Sequence, residues 1–183
     1  LYNNTGGAFN VAIGTDSLHR NSVTDRNTAV GSFALRYFSS GNVDGHNAAL
    51  GYGALEGIDG SSTGTRNTAL GSGSLAGATS GTRNTGVGWD TMPFLTSGSR
   101  NIALGANAGA NITSGNDNIV IGYALGVPSG TADNQLNIGG VITGDLSTGD
   151  ITMTSSGALT LHRGSTAELS LIHISEPTRL HCI

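Results

Sequence analysis

The chain has 183 residues, of which 30 are glycine, 5% are aromatic and 11% are charged, with a formal net charge of −4. The charged fraction is well below the quarter or so that is usual for globular domains, and the acidic balance excludes a basic surface that binds nucleic acid. No run approaches about 18 apolar residues, so we expect no membrane insertion. Phosphate-loop, nucleophile-elbow and calcium-binding nonapeptide motifs do not occur, so we expect neither a cofactor nor a metal site.

A five-residue motif that begins with asparagine and ends with glycine recurs along the chain. Its seven copies occupy residues 10–14, 27–31, 47–51, 67–71, 84–88, 101–105 and 118–122. Their final glycines are separated by 17, 20, 20, 17, 17 and 17 residues. A fixed period of this length predicts a solenoid, in which each repeat is one coil stacked on the last. The recurring glycines disfavour a helix, because each costs roughly 1 kcal/mol at an interior position.

Each coil is predicted to contain a strand, a turn, a short second strand and a second turn. The first strand covers the motif, and the second turn is written TSG or STG in most copies. Four residues after the motif glycine, five coils carry a large apolar residue: Leu18, Leu35, Leu55, Leu75 and Met92. We therefore predict an all-β fold, a parallel β-solenoid of about seven coils of 17–20 residues followed by short strands.

Successive side chains of a strand point to opposite faces, which gives the motif two faces. The residue before the motif glycine is always a branched aliphatic residue, and we expect this column to point inward. Its members are Ile13, Val30, Leu50, Leu70, Val87, Leu104 and Ile121. The residue before each of them is small, and we expect that face to permit close approach by another copy. One narrow coil buries little surface, so we predict self-association as a homotrimer about the long axis.

The first residue of the motif is an asparagine in every copy. These residues are Asn10, Asn27, Asn47, Asn67, Asn84, Asn101 and Asn118. In a stack they lie about 4.8 Å apart, close enough for the side-chain amides to form a hydrogen-bonded ladder along the axis. The alternative is that asparagine is used because it tolerates a left-handed turn conformation. Both roles are structural, and neither is catalytic.

An arginine precedes the asparagine in four copies, and three of these, Arg66, Arg83 and Arg100, fall on consecutive coils. Like charges at strand spacing repel unless they splay or find acceptors. One interpretation is a basic stripe that binds an anionic glycan. The other is a solvated column that prevents edge-to-edge aggregation.

Two adjacent coils carry three extra residues each, within residues 37–46 and 56–62. Insertions in repeats usually map to loops on one side, which is often the binding side. The equivalent turn three coils later is rich in aromatic residues, which suit stacking on sugar rings. The candidate binding residues are Tyr37, Phe38, Asp44, His46, Asp59, Trp89 and Phe94. Alternatively, Phe38 and Phe94 fill the corner of a thin core.

Catalysis has little support in the sequence, and we predict no catalytic residue. Glycoside hydrolysis uses two carboxyl groups roughly 5–10 Å apart. Asp44 and Asp59, on adjacent loops, are the pair that this chemistry would require.

The chain changes character twice after Gly122, where the repeat decays. Residues 3–126 are predicted to form the solenoid, and residues 127–168 a transition region of short strands, since residues 141–162 alternate threonine and aliphatic residues between glycine turns. Residues 169–183 differ in composition, and LSLIHISEPTR at 169–179 resembles the translation of a transposase adapter used in sequencing libraries. We therefore exclude this tail from fold reasoning; the alternative is a native strand that ends at a Glu-Pro turn.

The motif NTALG, with its following Ala-Leu pair and SG turns, resembles two related groups over roughly residues 3–160. One is the head repeat of trimeric autotransporter adhesins, which forms a trimeric left-handed β-roll. The other is the repeat shaft of phage tail fibres and similar bacterial surface proteins. The resemblance implies a structural and adhesive function at the virion or bacterial cell surface, with a cell-surface polysaccharide or protein as partner. The alternative function is that of a polysaccharide-degrading tail spike.

Overall fold

The computed structural model describes residues 4–38 and 44–153. Its strands form one ten-stranded sheet in chain order, and the described residues contain no helix. The strands are β1 (Val11–Ile13), β2 (Thr28–Val30), β3 (Ala48–Leu50), β4 (Thr68–Leu70), β5 (Thr85–Val87), β6 (Ile102–Leu104), β7 (Ile119–Ile121), β8 (Gln135–Ile138), β9 (Ile142–Asp145) and β10 (Asp150–Met153). The predicted tail at 169–183, residues 154–168 of the predicted transition region and loop residues 39–43 lie outside the described residues.

Strands β1 to β8 are parallel neighbours, and each pairs in register with the equivalent residues one coil away. Between β3 and β4, for example, Ala49 pairs with Ala69 and Leu50 pairs with Leu70. About seven coils therefore stack as a parallel β-solenoid, which confirms the predicted fold class. After β8, strands β9 and β10 pair antiparallel and complete the described sheet.

The short second strand predicted in each coil does not form in the described residues. Beyond the motif glycine, the backbone bends at alternate residues: Gly71, Gly73 and Leu75 have φ values of 132°, 68° and 55°. Positive φ values turn the chain where a strand would extend it. The bent segment is still bonded to both neighbouring coils. The Gly73 N–H donates to the carbonyl oxygen of Tyr52 and the Leu75 N–H to that of Thr91, both at 2.9 Å.

The two faces of the strands are the reverse of those predicted. The small central residue points inward, so that Ala49 and Ala69 are 2% and 1% exposed. The aliphatic residue after it points outward, and Leu50 and Leu70 are 49% and 42% exposed. The predicted core column is therefore an outward aliphatic column, whose members are exposed or half-buried: Ile13, Val30, Leu50, Leu70, Val87, Leu104 and Ile121.

The core is filled from the opposite side of the coil, by a leucine column that belongs to the bent segment. It consists of Leu18, Leu35, Leu55, Leu75 and Met92, all fully buried. Leu75 reaches the strand, because a Cβ atom added at Gly86 would lie 3.3 Å from its Cγ. A 17-residue coil is thin, and a close-packed interior of this width holds one large side chain and one small one. The small strand residues are thus covered by the coil itself, and the prediction that they form a contact face is wrong.

Candidate functional site

The motif asparagines lie in a continuous row, buried from Asn27 to Asn118, which we call the asparagine ladder. From Asn10 to Asn101, the side-chain Oδ1 accepts the backbone N–H of the asparagine one coil further on, as from Asn84 to Asn67 and from Asn101 to Asn84, at 2.9 Å in both cases. The Oδ1 of Asn118 accepts the Gln135 N–H. From Asn47 to Asn118, the Nδ2 donates to a turn carbonyl oxygen of the next coil, as Asn84 does at Gly98 (2.8 Å). Asn67, Asn84 and Asn101 are 0% exposed, so the ladder is bonded to its own backbone and is closed to ligands.

The left-handed backbone conformation belongs to the residue before each asparagine. Arg66, Arg83 and Arg100 have φ values of 61°, 59° and 59°, whereas none of the motif asparagines has a positive φ. The alternative explanation for asparagine, tolerance of a left-handed turn, is therefore wrong. The motif uses asparagine because its amide is both a donor and an acceptor at a position without water.

The arginine stripe (Arg66, Arg83 and Arg100) is exposed and in register along consecutive coils. The Arg83 N–H donates to the Thr65 carbonyl oxygen at 3.1 Å, which places Arg83 beside Arg66. Arg100 forms a bidentate pair with Asp117, with Nε to Oδ1 and Nη2 to Oδ2 both at 2.6 Å, and this hydrogen bonding lowers the pKa of Asp117. Among the described residues, Arg66 and Arg83 form no ion pair, so these two cations face solvent.

The candidate loop residues divide into a buried group and an exposed group. Phe38 is 4% exposed and packs against Gly57, so it fills the corner of the core and is not a binding residue. Phe94 is 65% exposed, so it has no such role. Tyr37 lies under the guanidinium of Arg36, whose Cζ is 4.9 Å from the ring centroid.

Asp44 and Asp59 are engaged by different arginines. Asp44 pairs with Arg26, and its Oδ1 lies 3.7 Å from Nε2 of His46. Asp59 pairs with Arg20 at 3.0 Å. The described residues give the two carboxylates no shared partner, and no observation favours their acting together on a glycosidic bond.

Within 4–38 and 44–153, no group of three or more His, Cys, Asp or Glu side chains is placed to hold a metal ion. In the same residues, no helix has the length and apolar character needed to cross a membrane.

Two outward features were missed by reasoning from the sequence. The first is that the strands present to solvent an uncharged face on which a branched aliphatic residue recurs in every coil. The second is a column at the residue directly after each motif glycine, where Tyr52, Trp89 and Tyr123 are 59%, 57% and 76% exposed. Trp89 was a candidate binding residue, but its alignment with the two tyrosines was not predicted. Aligning the repeats on the glycine places these three aromatic residues in one column, so the signal was present in the sequence.

The parallel coils, the buried asparagine ladder and the outward columns define a β-solenoid repeat protein. Comparisons with protein-family models, with curated proteins and with solved structures found no match to this chain.

Proposed function

We propose that this chain is part of a structural and adhesive fibre, of the kind carried by phage tails or bacterial surfaces, that associates with copies of itself. The observation that supports this most is the outward aliphatic face of β1 to β7, formed by the first and third residues of each strand. It contains Val11, Ile13, Thr28, Val30, Ala48, Leu50, Thr68, Leu70, Thr85, Val87, Ile102, Leu104, Ile119 and Ile121, and no charged residue.

The size of this face supports association. Seven strands about 4.8 Å apart, each three residues long at about 3.3 Å per residue, give a face of roughly 30 Å by 10 Å, or about 300 Å². Exposed apolar patches of this size on monomers are often functional. A stable interface buries about 800 Å² per partner, so further coils or the rims of the face would add to the contact.

A second copy of the chain is the occupant that fits this face. The branched aliphatic residue recurs in every coil, with the same rise per coil along the axis. A second copy has the identical rise, so its side chains keep the same register over the whole length, which a globular partner would not do. Three copies arranged about the long axis would cover the outward aliphatic face of each copy and form a closed, symmetric assembly. The adhesive contacts to a cell-surface glycan or protein would then come from outward residues at the rims and turns.

Sedimentation equilibrium of the whole chain tests the association. We expect a trimeric mass for the native sequence, and a monomeric mass for the double variant Leu50→Asp and Leu70→Asp, with the β-sheet circular dichroism retained. The matched control is Thr63→Asp with Ser80→Asp, two exposed turn positions that should leave the mass unchanged. A native chain that remains monomeric at high concentration, or a leucine variant that retains its mass, would contradict the proposal.

A further inference from the structure

We propose that Tyr52, Trp89 and Tyr123, the aromatic row, bind an extended, neutral, β-1,4-linked polysaccharide that lies parallel to the solenoid axis. This inference rests on the proposed adhesive function and assigns it a site and a class of ligand. The chain has nine aromatic residues, namely four tyrosines, four phenylalanines and one tryptophan, and three of the nine lie in this row.

The row is fixed by the backbone of the coils. The carbonyl oxygen of Tyr52 accepts the Gly73 N–H at 2.9 Å, and that of Trp89 accepts the Asn107 N–H at 2.8 Å. In the coil between them, the carbonyl oxygen of Ser72 accepts the Asp90 N–H at 2.9 Å in the same way. Each residue after a motif glycine therefore occupies the same position in its coil, and the aromatic side chains stand in line.

The aromatic residues occur on alternate coils. Ser72 and Ala106 occupy the coils between them, so no large side chain fills the gaps. Two coil steps of about 4.8 Å separate neighbouring aromatic residues by about 10 Å, and the row spans about 19 Å. Such a row offers three separate stacking surfaces, whereas a packed aromatic cluster would offer one.

The spacing suits a β-1,4-linked chain. Successive sugars in such a chain are flipped, so that every second ring presents the same face to one side. Aromatic residues on every second coil can each stack on one of these rings through its apolar C–H face, while the tyrosine hydroxyls and the Trp89 indole N–H remain able to bond sugar hydroxyls. The row itself carries no charge, which favours a neutral glycan over a polyanion.

Burial does not explain these aromatic residues. All three are more than half exposed, although Tyr52 makes an edge-to-face contact with Phe33, at 5.4 Å between ring centroids. An exposed aromatic residue adds nothing to the core, and an exposed column of three is a surface suited to recognition.

Trp89 is the only tryptophan of the chain, so its fluorescence reports on the row directly. We would titrate the whole chain with cellohexaose and chitohexaose, which are β-1,4-linked, and with maltohexaose, which is α-1,4-linked. We expect a saturable change in the Trp89 emission with the β-linked oligosaccharides and a much weaker change with maltohexaose. Tyr52→Ala and Tyr123→Ala should each weaken binding about 2- to 12-fold, the range expected for loss of one aromatic contact.

Phe9→Ala is the matched control, because Phe9 is also exposed but lies outside the row and outside the candidate loops; its binding should equal that of the native chain. The proposal is overturned if no β-linked oligosaccharide alters the emission, or if Tyr52→Ala and Tyr123→Ala bind as tightly as the native chain. It is also overturned if the emission follows protein concentration alone, since the row would then be the rim of the self-association face. Sedimentation of the leucine variants tests association separately, so failure of the glycan site and failure of the fibre proposal are distinguishable.

Discussion

Replacement of Asn84 by alanine tests whether the asparagine ladder holds the coils together. Asn84 is 0% exposed and lies in the middle of the ladder. Its Oδ1 accepts the backbone N–H of Asn101 at 2.9 Å, and its Nδ2 donates to the carbonyl oxygen of Gly98 at 2.8 Å. The Asn84 backbone N–H still donates to Asn67 in the variant, so the loss is confined to the side chain.

The magnitude follows from the groups that lose their partners. In Asn84→Ala, the Asn101 N–H and the Gly98 carbonyl become unpaired away from water. Each buried unsatisfied group costs about 1–3 kcal/mol, so we expect the free energy of unfolding to fall by about 2–6 kcal/mol. That is a large share of the 5–15 kcal/mol or so that is typical of a folded domain.

Chemical denaturation of the full chain, followed by far-ultraviolet circular dichroism, measures this loss, and amide hydrogen exchange locates it at the Asn101 N–H. Asn10→Ala is the graded comparison. Asn10 makes the same bond to the Asn27 N–H at 2.9 Å but is only half-buried, so water can replace it and the loss should be smaller. If Asn84→Ala costs no more than Asn10→Ala, or if the Asn101 amide stays protected, the reasoning is refuted.

The other predictions concern the packing inside and between the coils of neighbouring copies. Leu75→Ala should destabilise the chain by about 2–5 kcal/mol at any protein concentration, because it empties a fully buried site. Leu70→Ala should reduce the free energy of unfolding less as the protein is diluted, because dilution separates the copies that cover Leu70. If denaturation experiments show the same loss for Leu70→Ala as for Leu75→Ala at every protein concentration, the reversed faces are contradicted. Gly86→Ala should cost about 1–3 kcal/mol, although alanine is usual at that position, because the new methyl would lie 2.6 Å from the hydroxyls of both Ser74 and Thr91. Replacing those two hydroxyl residues by alanine as well should restore stability, and a stable single variant would argue against this packing.

The repeat period was sufficient to predict the fold class. Evenly spaced glycines and asparagines specify identical coils, and identical coils stack most simply as in-register parallel strands, as Ala49 and Ala69 do. The ladder was also open to prediction, because asparagine at a fixed place in every strand brings one amide above the next. These features depend on spacing alone, which a sequence displays directly.

The direction of the side chains was not open to prediction in the same way. Strand alternation separates Ala69 from Leu70 but does not say which of them points inward, since both are apolar. The answer depends on Leu75, which reaches the strand from the other wall of the coil and leaves room only for a small side chain. Leu75 has a left-handed φ of 55°, which bends the chain. Because leucine rarely adopts this conformation, the sequence pattern favoured a second strand at this position.

The ladder also explains how this solenoid tolerates variation in its loops. The two coils with three extra residues keep the same asparagine hydrogen bond as the shorter coils. The Asn47 N–H donates to the Asn27 Oδ1 at 3.0 Å and the Asn67 N–H to the Asn47 Oδ1 at 2.9 Å. In a 17-residue coil, the Asn84 N–H donates to the Asn67 Oδ1 at 2.9 Å. Strand pairing across the longer coils is likewise unshifted. Register is therefore set at the asparagine, and the loops can change in length and composition without disturbing the outward columns. Any recognition by this chain can vary at its loops and outward columns while the stacked frame that carries them stays constant.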